Sequence, residues 1–261
     1  MFVHTAKLNS SKLSSLGFHL KKFSLKNEQD RQEVGKMVDF CKEYYYKHKV
    51  GAPIATMVTK PNDIYAFDEK HIRYIMDPLI TEPHGESYGV YKNGSEKLLG
   101  VMMTRVTTIE NHFKTPVIPD YKQYFGNDDY NIYQERIKSN KIFRQQIDTD
   151  AWIYENLDSN KLELTDKFMF MRVGGVHPEL KGKGVTRQFW QEILHNTAEK
   201  TDCVMIISEG TQEQSIFAVK RMGFEIVKER FYENFDNEFK RRVITRVKDH
   251  PRICLQVKWL K

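Results

Sequence analysis

The stretch His177-Pro178-Glu179-Leu180-Lys181-Gly182-Lys183-Gly184 holds the residue types best suited to binding chemistry. It follows an apolar run, 167–176, and precedes a helical pattern that opens at Val185. Glycine has no Cβ, so Gly182 and Gly184 let backbone amides approach a ligand closely. The first turn of a helix adds N–H groups without intrahelical partners and the positive end of the helix dipole. Such a turn suits a phosphate, and Lys181 and Lys183 add charge. The same glycines also serve a plain structural turn, so the flanking elements decide between the two. The Lys-Ser/Thr pair of a P-loop is absent, and so is the GxGxxG of a dinucleotide fold.

Candidates for proton transfer lie elsewhere. A base that works near neutral pH is a histidine or a desolvated carboxylate. His177 heads the loop, and Glu82 and His84 sit in the polar run TEPHGES (81–87) just before a strand. Tyr232 follows a late strand and is a candidate proton donor. Each also has a plainer reading, as a loop, turn or core-edge residue. Tyr44-Tyr45-Tyr46 suits either an amine pocket, through cation–π contacts, or a helix end packed on a sheet. Phe189 and Trp190 read as core and groove residues. Cys41, Cys203 and Cys254 are widely spaced and form no CxxC, which predicts buried thiols in a reducing compartment and no metal site.

The elements that must position these residues are legible in places. A first strand is expected over 18–25 and a helix capped by Asn27 over 28–46, with a second helix over 68–80 that ends or bends at Pro78. Asn93-Gly94 makes a hairpin of strands 87–92 and 97–106. The segment 107–165 shows only a loop and two charged helical stretches. Strand 167–176, helix 185–200, strand 203–208 and a helix stopped by Gly223 follow, then strands 224–232 and 252–260.

This central order, FMFMRVGGVHPELKGKGVTRQFWQEIL, CVMIIS, QSIFAVKRMGFEIV, resembles the GCN5-related N-acetyltransferase (GNAT) superfamily. The ending RICLQVKWL and the long 107–165 segment are similar to its animal arylalkylamine N-acetyltransferase branch. The resemblance implies an α/β fold (α+β in some schemes), with a mixed, splayed sheet flanked by helices. It also implies acetyl-CoA between the strands 168–176 and 203–208. Val173, Gly174, Gly175 and Val176 are then expected to face the pantetheine arm. Lys181, Gly182, Lys183, Gly184, Val185 and Thr186 would receive the pyrophosphate, and Ser215 and Lys220 would approach from the next helix. Three departures stand out: Glu179 at the motif's opening Arg/Gln position, Val219 where a tyrosine general acid is common, and Gln212 where Asn is frequent. The Glu-Pro-Leu/Met segment that supplies a base in the arylalkylamine branch is matched by Ala52-Pro53-Ile54, or in a second alignment by Glu82-Pro83.

The 261 residues carry 41 Lys and Arg against 35 Asp and Glu, a net +6. Residues 1–26 contribute +5 and residues 228–261 another +5, leaving −4 for the body between them. No basic recognition element marks a nucleic-acid binder, and no run has the ~20 apolar residues of a membrane span. We expect a flexible basic lead over 1–17 and one domain over 18–261, with 107–165 as an insertion. The expected enzyme is a cytoplasmic monomer or weak dimer that acetylates a small primary amine and uses no metal. A catalytically weak CoA-binding protein and a peptide N-acetyltransferase are the alternatives. The basic start leaves mitochondrial targeting as a further one.

Overall fold

The Asn93-Gly94 turn, with Gly94 at φ 73°, joins β2 (Gly85–Lys92) to β3 (Leu98–Thr108) in an antiparallel hairpin. A computed structural model of the chain describes residues 11–47, 69–81, 85–114, 147–234 and 252–260. β3 is buried almost end to end, as a central strand covered on both faces must be. β1 (Phe18–Lys22) pairs with β2, and β4 (Lys167–Val176) pairs with β3. β5 (Met205–Gly210), β6 (Glu225–Phe231) and β7 (Arg252–Trp259) complete a seven-stranded sheet in the order β1-β2-β3-β4-β5-β7-β6. Only β4 and β5 run parallel, so the sheet is mixed.

Helices cover both faces. α1 (Ser11–Ser15), α6 (Val185–Thr201) and α7 (Glu213–Lys220) lie on one, over a core that includes Leu13, Met169, Phe189, Ile193 and Val219. α2 (Glu28–Phe40) and α3 (Glu69–Thr81) pack Val34, Met37, Ile72 and Met76 on Val101 and Met103. α4 (Ile109–Lys114) and α5 (Thr149–Asp158) bring Ile109, Trp152 and Ile153 to Phe168, Ile207 and Leu255.

Some boundaries differ from the expectation. Asn27 caps α2 as predicted, accepting from the Asp30 amide at 2.9 Å. The helix then widens into a π-helical turn, Cys41–Lys47. α3 runs three residues past Pro78, because a proline in the last turn removes only one helical bond. Ser11–Ser15, assigned to the flexible lead, form a helix: Leu13 is fully buried and its amide donates to Glu192 Oε1 at 2.9 Å. Strand 203–208 is displaced to Met205–Gly210 because Asp202, at φ 55°, turns the chain out of α6 first.

Candidate active site

The site is opened by a mismatch in strand length. β4 and β5 pair from Phe168↔Met205 to Met171↔Ser208, and β4 then continues to Val176 without a β5 partner. A bulge marks the parting: Met103 pairs with Val173 and Thr104 with Met171, so Arg172 is the extra residue on β4. Bulges bend a strand and re-aim a side chain, often beside a site. Between the diverging strands lies a cleft of about 450 Å³, walled by Gly174, Gly175, Val176 and Trp190 on one side and by Ser208, Glu209, Gly210 and Gln256 on the other.

One end of the cleft is the glycine turn. Gly182 and Gly184 take φ of 77° and 71°, a conformation that side chains rarely adopt. Gly184 is the N-cap of α6 and gives it no side-chain cap, so a ligand meets the helix-start amides directly. Lys181, Gly182 and Thr186 line this end. Glu179, an awkward charge beside a phosphate, is turned aside: its carboxylate accepts from Lys97 Nζ at 2.9 Å, which holds its pKa below the ordinary range.

The other end is polar. Glu209, the penultimate residue of β5, accepts from the Thr149 hydroxyl at 2.9 Å, and its second oxygen lies 3.9 Å from Arg172 Nη1. The Arg172 guanidinium sits 4.6 Å above the Phe170 ring, stacking that fixes its plane. Glu209 is the one carboxylate among the described residues that line the cleft. Tyr44, delivered by the π-helical turn, lies edge-on to His177 with ring centroids 4.6 Å apart.

Neither a protein-family model nor a curated protein sequence matches this chain. Solved structures do. The polyamine N-acetyltransferase of Drosophila melanogaster, which forms N-acetylagmatine, superposes with a TM-score of 0.60 at 14% identity, covering 93% of this chain and all of that one. Arylalkylamine N-acetyltransferase 2 of Aedes aegypti gives 0.55 at 15% identity, over 94% and 99% of the two chains. The chain has the GNAT fold. The C-terminal condensation domain of Ebony, in complex with β-alanyl-dopamine, shares it with a TM-score of 0.58 at 12% identity, over 93% and 99%.

Within that fold the expected residues are only partly assembled. Gly174, Gly175, Val176, His177, Lys181, Gly182, Thr186 and Ser215 line the cleft. Val173 turns its side chain into the core beneath α2 and α3, which leaves only its backbone for a ligand. Val185 is buried behind the turn, Lys183 is exposed, and Lys220 points to solvent on α7. His177 accepts the Glu179 amide at Nδ1, 3.1 Å away, while its ring borders the cleft. Tyr232 is corrected: it is 2% exposed within the α4–α5 core and does not line the cleft, and burial pushes its phenol well above the ordinary range. An amphipathic strand end reads the same whether it caps a rim or a core. Glu82, His84 and Ala52-Pro53-Ile54 lie outside the described residues.

The sequence reading missed Glu209, Thr149 and Gln256 as site residues. One signal was available for Glu209. It is the acid at the C-terminal end of a buried parallel strand, and sites in such sheets gather at the strands' carboxyl ends. No group of three or more His, Cys, Asp or Glu among the described residues is arranged to hold a metal.

Proposed function

We propose that this protein is an acyl-CoA-dependent N-acyltransferase that moves acetyl from acetyl-CoA to a small primary amine by direct attack in a ternary complex. The observation that carries the reading is the parting of β4 from β5 at Met171 and Ser208, which leaves the Gly174–Val176 backbone facing a cleft that ends at the uncapped start of α6. An amide-bearing arm docks along such a strand as an added strand does. A diphosphate suits the helix-start amides. Gly182 and Gly184 have open space around them, so the ligand side of the turn is accessible.

Bound acetyl-CoA supplies an activated acetyl thioester. The chain has to orient it and remove a proton from the amine, which is protonated at neutral pH and cannot attack until it is neutral. Glu209 is placed for that transfer. Thr149 fixes one carboxylate oxygen and Arg172 faces the other. Tyr44 presents an aromatic face that suits a cationic amine. Val219 lines the cleft and has no proton to give, so solvent returns the proton to the departing thiolate. Small-amine acceptors are supported by the structural relatives, which include an enzyme forming N-acetylagmatine and a domain bound to β-alanyl-dopamine. Three buried, unbridged thiols support a reducing compartment, the cytoplasm.

Val219 also favours a second reading, a CoA-binding protein with weak turnover. Calorimetric titration with coenzyme A, followed by thiol release from acetyl-CoA with polyamine, arylalkylamine and peptide panels, separates the readings. Binding with turnover on small amines is the expected result. Binding without turnover supports the second reading, and no affinity for coenzyme A removes both.

A further inference from the structure

His112, in the last turn of α4, is a polar side chain set among aromatic ones. It is 9% exposed, and its ring lies edge-on to Phe168 and Phe113, with centroids 5.3 and 5.5 Å away. Nε2 donates to Asp150 Oδ1 at 2.9 Å, since an ionised carboxylate only accepts. Nδ1 is buried and meets no partner among the described residues. A leucine fills such a place without burying an unmade hydrogen bond. Packing alone therefore does not account for an imidazole here, and what its one hydrogen bond holds has to.

The ring stands behind both groups that flank Glu209. Asp150 follows Thr149 in the first turn of α5, and the Thr149 hydroxyl donates to Glu209 Oε1 at 2.9 Å. Asp148 caps this turn on the backbone, through the Ala151 amide, and His112 holds it by a side chain. On its other side the ring lies 6.5 Å, centroid to centroid, from Phe170. Phe170 carries the Arg172 guanidinium 4.6 Å above its face, and Arg172 Nη1 is 3.9 Å from Glu209 Oε2. The Thr149 arm is the tighter of the two, because it ends in a direct hydrogen bond.

We propose that His112 is a positioning residue for acetyl transfer: by holding Asp150 it sets the first turn of α5, and with it the Thr149 hydroxyl that orients the Glu209 carboxylate. This rests on the acyl-CoA reading and on Glu209 as its base. It extends the site to a side chain that does not line the cleft. A carboxylate free to turn is aimed at the amine for less of the time, which lowers kcat and leaves the cofactor end of the cleft as it was.

The test is steady-state kinetics of the full chain, with acetyl-CoA saturating and a small amine varied. The variants are His112→Leu, Asp150→Ala, Glu209→Gln and each of the first two combined with Glu209→Gln. Asp150 is 63% exposed, so its truncation breaks the same bond from the solvent side and carries the test if His112→Leu does not fold. Coenzyme A titration gives the folded fraction of each variant. His112→Leu and Asp150→Ala are each expected to lower kcat about tenfold, with coenzyme A affinity unchanged. Neither is expected to cost anything further once residue 209 is glutamine, because the two sites then share one pathway. Full kcat in the folded variants overturns the proposal. So does an equal loss with and without the Glu209 carboxylate, which is the mark of a merely structural role. In both cases turnover by the unsubstituted protein leaves the acyl-CoA reading standing. Full activity of Glu209→Gln removes the base and this proposal together, and no turnover by the unsubstituted protein removes the acyltransferase reading with them.

Discussion

The proposed function gives the role of base to Glu209 and not to His177. A histidine at the head of a ligand loop is the natural base near pH 7, yet its Nδ1 lone pair is committed to the Glu179 amide. The carboxylate at the parting of the strands is held by a hydroxyl and faced by a guanidinium instead. Glu209→Gln keeps the shape and the Thr149 contact but cannot take a proton. It is expected to lower kcat about a hundredfold, within the range of general-base loss, with coenzyme A affinity unchanged. A full kinetic comparison at saturating acetyl-CoA measures this. Glu209 was hidden in the sequence because its neighbours form an ordinary strand end, and only the three-dimensional parting makes it a site. The glycine turn was visible because positive φ before a helix leaves a mark in residue type.

Individual elements show why the central part of the chain was readable and its flanks were not. β4, the turn, α6, β5 and α7 follow one another with short connections, and their apolar periods are uninterrupted. α5 belongs to the insertion, and its contribution is non-local. Asp148 takes a left-handed φ of 47°, caps α5 by accepting the Ala151 amide at 3.1 Å, and turns Thr149 toward β5. Thr149→Val removes the hydroxyl and keeps the volume. The expected outcome is a fall in kcat of about tenfold, the size of one charge-assisted bond, restored by Thr149→Ser, with coenzyme A binding unaffected. On the other side of the sheet, α2 is tied to β2 by Glu33, which accepts from Lys36 at 2.7 Å and Tyr91 at 2.9 Å. Burial raises its pKa, but these bonds and the Lys21 charge outweigh burial and hold it below its usual 4.5. A depressed carboxylate pKa gives stability that is complete above the unfolded value and lost as pH falls through the folded one. Glu33→Gln should therefore cost about 2 kcal/mol at neutral pH, with the deficit shrinking in acid. Urea melts at several pH values check the sign.

Across the whole molecule, the basic charge is concentrated in the sequence at residues 1–26 and 228–261, with −4 left on residues 27–227, which supply most of the cleft lining. The anion this arrangement suits is a single diphosphate at a helix start, where amides outweigh side-chain charge. The N-terminal stretch read as a loose lead is anchored across the fold, from Leu13 to Glu192 on α6. Leu13→Ala should lower unfolding free energy by about 3 kcal/mol, as for other fully buried leucines, and a denaturant melt reads it. Its burial was not legible because five residues carry too little periodicity to declare a packed face. In the proposed function, the cleft between β4 and β5 brings an acyl-CoA thioester and a small amine together at Glu209. The most direct measurement is the rate of thiol release from acetyl-CoA as a small amine is titrated in. A saturable, amine-dependent rate is expected, and Glu209→Gln should reduce it about a hundredfold. Release that ignores the amine, or that is equal in the variant, would contradict it.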